Sequence, residues 1–123
     1  MTKIIDIKTQ AIIKRAFEES DKLNCNFVGS EHFILSILNF KHNSLNGFFG
    51  IHYDDFKNRV ESLYRDMNVP TKTNEDKTLS NEMKVILHNR DVIDESYLFT
   101  SIMKNECLTG GYILKNMLKT RYL

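Results

Sequence analysis

The feature that most restricts this chain's fold is one apolar stripe: Phe56, Val60, Leu63, Tyr64 and Met67 fall at i, i+4, i+7, i+8 and i+11. That spacing puts five large side chains on one face of a helix and leaves the charged residues on the other. Three- and four-residue steps recur elsewhere, in Ile12, Ile13, Ala16, Phe17 and Leu23, in Phe33, Ile34, Ile37 and Leu38, and in Ile113, Leu114, Met117 and Leu118. No alternation of period two persists, so the sequence predicts no strand and an all-α fold.

Boundary residues divide the chain into about seven helices. Asp6 is a good N-cap for the first. The stretch 24–29 breaks the pattern, and Ser30 is expected to cap the second. A polar turn at 41–43 precedes a short helical segment from Leu45 to Phe49, with Gly50 as its left-handed C-cap. The striped helix ends before Pro70, and residues 68–79 read as an exposed linker. Beyond it, Ser80 caps a helix from Asn81 to about Arg90, Asp94-Glu95 opens another with Tyr97, Leu98, Phe99 and Ile102, and a last helix follows. At 123 residues the chain is the size of one domain, 1–123.

Composition excludes several classes. Seventeen basic and sixteen acidic side chains nearly cancel, so no broad field draws nucleic acid or an anionic membrane, and no helix has a basic face. Cys25 and Cys107 lack CxxC or CxxH company and read as reduced thiols; His32, His42, His52 and His88 have no ligand spacing, so no metal or cofactor is expected. The N-terminus lacks a signal-peptide pattern, which points to a cytoplasmic location. No ordered neighbours of an activated nucleophile occur, so the chain reads as non-enzymatic.

An internal repeat organises these parts. Ser30-Glu31-His32-Phe33-Ile34-Leu35-Ser36-Ile37 aligns with Asp94-Glu95-Ser96-Tyr97-Leu98-Phe99-Thr100-Ser101. Asp6 lies 25 residues before Glu31 and Ser80 only 15 before Glu95, so the second copy is shorter by about ten residues. Val28-Gly29-Ser30-Glu31-His32-Phe33-Ile34-Leu35 resembles the Gly-Thr-Glu-His-Leu-Leu helix start of the N-terminal repeat domain of Clp (Hsp100) protein-unfolding ATPases, and Phe48-Phe49-Gly50-Ile51 resembles the step ending the short helix of those repeats. The resemblance covers about residues 5–119. It implies a double helical repeat, one copy at about 5–67 and a shortened one at about 80–123. The implied function is a non-catalytic module that docks substrates or adaptor proteins for a Clp-type unfoldase or protease. No GxxxxGK[ST] phosphate loop is present. The competing reading is a degenerate helical regulator or structural interaction protein that has lost substrate recognition.

Some relatives use the matching Glu of each repeat to hold the guanidinium of phosphorylated arginine, with a capping Thr and nearby amides on the phosphate. The resemblance carries these roles to Glu31 with Asp6 and to Glu95 with Ser80. Asp6 cannot donate to a phosphate and would repel it. Ser80 keeps a hydroxyl, so binding of phosphoarginine is expected at Ser80 and Glu95 only, while the site of Glu31 and Asp6 is expected to take unmodified basic side chains such as arginine, or nothing. Phe48 and Phe49 adjoin on a short helix and cannot both face inward, so one of them is a candidate for an apolar protein-binding groove.

Overall fold

A computed structural model describes residues 3–40, 43–67, 77–105 and 107–122. The chain runs β1 (Ile4–Ile5), α1 (Ile7–Lys22), β2 (Phe27–Val28), α2 (Ser30–Leu38), α3 (Ser44–Phe49), α4 (Tyr53–Met67), β3 (Thr78–Leu79), α5 (Asn81–His88), β4 (Val92–Ile93), α6 (Glu95–Met103) and α7 (Thr109–Tyr122). It is mostly helical, with seven helices among the described residues.

Four short strands depart from the expectation of none. Each is two residues long, too short for an alternating pattern to register in sequence. They pair in parallel as two ribbons: β1 with β4, Ile4 opposite Val92 and Ile5 opposite Ile93, and β2 with β3, Phe27 opposite Thr78 and Val28 opposite Leu79. Because Thr78 and Leu79 belong to a strand, the linker expected over 68–79 stops short of its sequence boundary; its residues 68–76 lie outside the described residues.

A helix cap follows each strand directly: Asp6, Gly29, Ser80 and Asp94. The ribbons therefore set helix starts side by side, α1 with α6 and α2 with α5. Exchanging β1 with β3 and β2 with β4 converts one ribbon into the other.

The caps explain the boundaries. Asp6 Oδ1 accepts from the Thr9 amide at 2.7 Å, Ser80 Oγ from Met83 at 3.3 Å, and Asp94 Oδ1 from Tyr97 at 2.8 Å. Ser30 does not cap α2. Gly29 holds that position in extended backbone, φ −107° and ψ −177°, and Ser30 Oγ instead accepts from the Gly110 amide of α7 at 2.8 Å. A Cβ on Gly29 would stand 2.3 Å from Glu31 Oε1, so a larger residue there requires the Glu31 carboxylate to move. Gly50 ends α3 with φ 63°, the left-handed cap its sequence position predicts.

The core centres on α2, whose nine residues are all buried. Sequence periodicity assigned it one apolar face. Its surroundings explain the rest: α1, α4, α6 and α7 all pack on it, and Ser36 Oγ satisfies its hydroxyl on the Ile12 carbonyl at 2.6 Å. The α4 stripe is fully buried at Phe56 and Val60, half-buried at Leu63 and Tyr64, and 64% exposed at Met67.

Candidate functional site

The paired helix starts bring the sequence's candidate residues together, but in different combinations from those the linear repeat suggests. Glu31 does not meet Asp6, nor Ser80 Glu95. The strands cross between the two halves of the chain, so Ser80 stands beside the start of α2, its amide donating to the Val28 carbonyl at 2.9 Å. Glu31, Ser80, Glu82 and Thr109 line one small cavity of about 120 Å³ where α2, α5 and α7 begin. On the other ribbon, Lys8, in the first turn after Asp6, places its ammonium 3.1 Å from Glu95 Oε2.

The two halves of the chain also stand one residue out of the register that the sequence suggests. Aligning strand with strand and cap with cap sets Gly29 against Asp94, Ser30 against Glu95 and Glu31 against Ser96. This register matches the fully buried Phe33 and Ile37 to the fully buried Leu98 and Ile102. Glu95 is thus the counterpart of Ser30, and the position equivalent to Glu31 holds a serine. The sequence alignment went astray because Glu-to-Glu identity outweighed the cap position, which glycine occupies in one copy and aspartate in the other.

Glu31 is 2% exposed. Its Oε2 accepts a hydrogen bond from the Tyr64 hydroxyl at 2.5 Å, and the same hydroxyl lies 3.1 Å from His32 Nε2. His32 Nδ1 in turn accepts from the Gly29 amide at 2.9 Å. An Nδ1 that accepts leaves the proton on Nε2, so the chain has one direction: Gly29 N–H to His32, His32 Nε2–H to Tyr64, Tyr64 O–H to Glu31. Burial, aided by Lys77, holds the imidazole neutral with a pKa of about 3. Burial raises the Glu31 carboxyl above its usual range, opposed by the Tyr64 hydrogen bond. Burial and the Glu31 carboxylate push the Tyr64 hydroxyl far up, so it remains a donor. Burial also raises the Cys25 thiol, which argues against a thiolate with an imidazolium partner.

This is a hydrogen-bond chain that ties α4 to the start of α2. A second tyrosine–glutamate contact pins the other end of α4: Tyr53 donates to Glu19 Oε2 at 2.5 Å, and Lys22 lies 3.2 Å from Glu19 Oε1. Neither tyrosine stood out as functional in the sequence. The available signal was a phenol inside an apolar stripe, since a buried hydroxyl needs a partner.

The second cluster is more open. Lys8 is 41% and Glu95 18% exposed by side chain. Glu95 Oε1 is buried and accepts no hydrogen bond among the described residues. Asp6, at the same helix start, has its carboxyl held below the usual range by the Thr9 hydroxyl and amide. Phe49 packs its ring against Phe99, centroids 5.7 Å apart, and is half-buried; the Phe48 side chain lies outside the described residues.

No protein-family model and no curated protein matches the chain. Among the described residues, no helix is long and apolar enough to cross a membrane.

Proposed function

We propose that the chain is a non-catalytic protein-binding module of the Clp N-domain type, working in the cytoplasm as a dock for substrates or adaptors of a Clp-type unfoldase. The observation that carries this reading is the pair of exchangeable ribbons. Two strand–cap–helix units in each half of the chain interlock so that every ribbon joins one strand from each half. A double repeat of the kind that the Gly29 to Leu35 segment resembles gives that arrangement a simple origin.

One observation favours the second reading, a member that has lost small-group recognition at its helix starts. A guanidinium needs an accessible carboxylate. Glu31 is buried, and Ser96 stands at the equivalent position. The cavity beside Ser80 holds two glutamates, Glu31 and Glu82, which repel a phosphate. Loss of phosphoarginine recognition is compatible with docking of a whole protein on another surface.

Biolayer interferometry of the immobilised chain against the host's Clp-type ATPase and against unfolded casein tests the first reading. Saturable binding to either, with Kd in the micromolar range, is the expected result. Absence of binding to both overturns it. Calorimetric titration with free phosphoarginine separates the readings: no heat is expected if the helix starts have lost recognition, and binding that Ser80→Ala abolishes would restore the family's site.

A further inference from the structure

We infer that the groove between α4 and α7 docks a partner protein's segment in which an apolar side chain is flanked by carboxylates. The inference rests on the reading of the chain as a protein-binding module and names the surface and the chemistry of the partner.

The groove has a volume of about 460 Å³ and is lined by Arg59, Leu63 and Asp66 of α4 with Tyr112, Ile113 and Lys119 of α7. Recognition sites commonly span roughly 300–1,000 Å³. The half-buried Leu63 gives the groove its apolar surface; Ile113 also lines it but is 4% exposed. Along the apolar stripe of α4, burial falls from Phe56 and Val60, both fully buried, to the half-buried Leu63 that lines the groove. Tyr112 leaves 52% of its surface open on the α7 side. Tyrosine and arginine are among the side chains that dominate binding energy at interfaces.

Charge sets the occupant. Arg59 and Lys119 outnumber Asp66 along the groove, and among the described residues none of the three takes part in an ion pair. The ion pairs seen, Lys8 with Glu95, Lys22 with Glu19 and Lys77 with Asp21, lie on other elements. A partner carboxylate gains two parallel hydrogen bonds from the Arg59 fork and a point charge from Lys119, while an apolar side chain covers Leu63 beside Tyr112. A basic segment would leave both cations facing like charge.

The probes are two end-blocked hexapeptides, one alternating leucine with glutamate and one alternating leucine with lysine, titrated into the ¹⁵N-labelled chain. The expected result is saturable amide shifts confined to α4 and α7 with the glutamate peptide and none with the lysine peptide. Arg59→Glu with Lys119→Glu should abolish the shifts. If that pair loses amide dispersion, Arg59→Gln with Lys119→Gln replaces it and should weaken binding about tenfold. Shifts elsewhere, equal binding of both peptides, no binding, or concentration-dependent self-association that the charge variants remove would each overturn the inference. Clp-type ATPase binding that survives in the groove variants alongside a silent peptide titration sinks the groove and leaves the proposed function standing. Peptide binding in the groove without any ATPase or casein binding does the reverse.

Discussion

The two ribbons create comparable helix starts and leave a carboxylate at each, yet the carboxylates end in opposite environments. Glu31 is 2% exposed and meets a tyrosine and, through it, a neutral histidine. Glu95 remains 18% exposed and meets Lys8 across the ribbon. The topology is the same; what differs is the depth of the helix that carries the acid. All nine residues of α2 are buried, so its start receives Tyr64 from α4, whereas α6 buries only Leu98 and Ile102 fully. Backbone pairing thus decides which residues meet, and burial decides whether a carboxylate acts as a structural acceptor or stays open to a cation.

Tyr64→Phe strikes the two helix starts most unequally. The change leaves Glu31 Oε2 without its phenol and the His32 Nε2–H without its acceptor, both in the core. We expect a loss of about 3 kcal/mol, the upper part of the cost of stranding a buried polar group. Urea denaturation at neutral pH measures it. Replacing both partners, Tyr64→Phe with Glu31→Leu, should recover part of the loss, because the carboxylate is no longer stranded and only the His32 Nε2–H stays without an acceptor. A cost for Tyr64→Phe no larger than that of removing Lys8 would mean the two clusters are energetically alike.

Next in size is the pH dependence of the buried chain. The folded pKa of His32 is lowered from 6.5 to about 3, so its contribution is fully present above pH 6.5 and is lost as pH falls toward 3. Glu31 has the opposite sign: its raised pKa means stability falls as pH rises above 4.5. The difference between wild type and His32→Gln isolates the histidine. That difference should shrink on acidification below pH 6.5, by at most about 1.4 kcal/mol per pH unit, and stay flat above it. A difference independent of pH would show that His32 is not held neutral by burial.

Much of the architecture could be read from the chain, and the gaps have physical causes. The stripe from Phe56 to Met67, the caps at Asp6, Ser80 and Asp94, and Gly50 are local signals, set within one or two turns, and each appears where the sequence placed it. The strands were invisible because two residues carry no period. Their pairing is long-range, and that of Val28 with Leu79 sets Glu31 beside Ser80 rather than Asp6. Ser30 misled for a related reason. A serine before an apolar run resembles a cap, but here its hydroxyl serves the Gly110 amide, a contact 80 residues away.

The caps themselves provide a smaller test. Asp6 offers a carboxylate at 2.7 Å and Ser80 a hydroxyl at 3.3 Å to the amide three residues on. Asp6→Ala should cost about 1 kcal/mol and Ser80→Ala about 0.5 kcal/mol, read as shifts in the urea midpoint. The Asp6 carboxyl is held below its usual pKa, so its contribution is fully present above pH 3.8 and is lost as pH falls through the lower folded value, while that of Ser80 does not titrate. Equal costs with equal pH profiles would erase the distinction between the two starts.

The smallest expected effect is the most direct check on the open cluster. Lys8 is 41% exposed and its ammonium lies 3.1 Å from Glu95, so the pair sits within reach of solvent and salt. Lys8→Met keeps the apolar stem and removes the charge. We expect a loss of about 0.5 kcal/mol at low ionic strength, as for partly exposed pairs. In about 1 M sodium chloride, where charges are screened within roughly 3 Å, that loss should largely disappear. The Tyr64→Phe penalty should change far less with salt, because Glu31 is 2% and His32 0% exposed. A Lys8→Met loss that persists in high salt would place Glu95 in the same buried regime as Glu31, and the contrast between the two helix starts would then rest on the tyrosine alone.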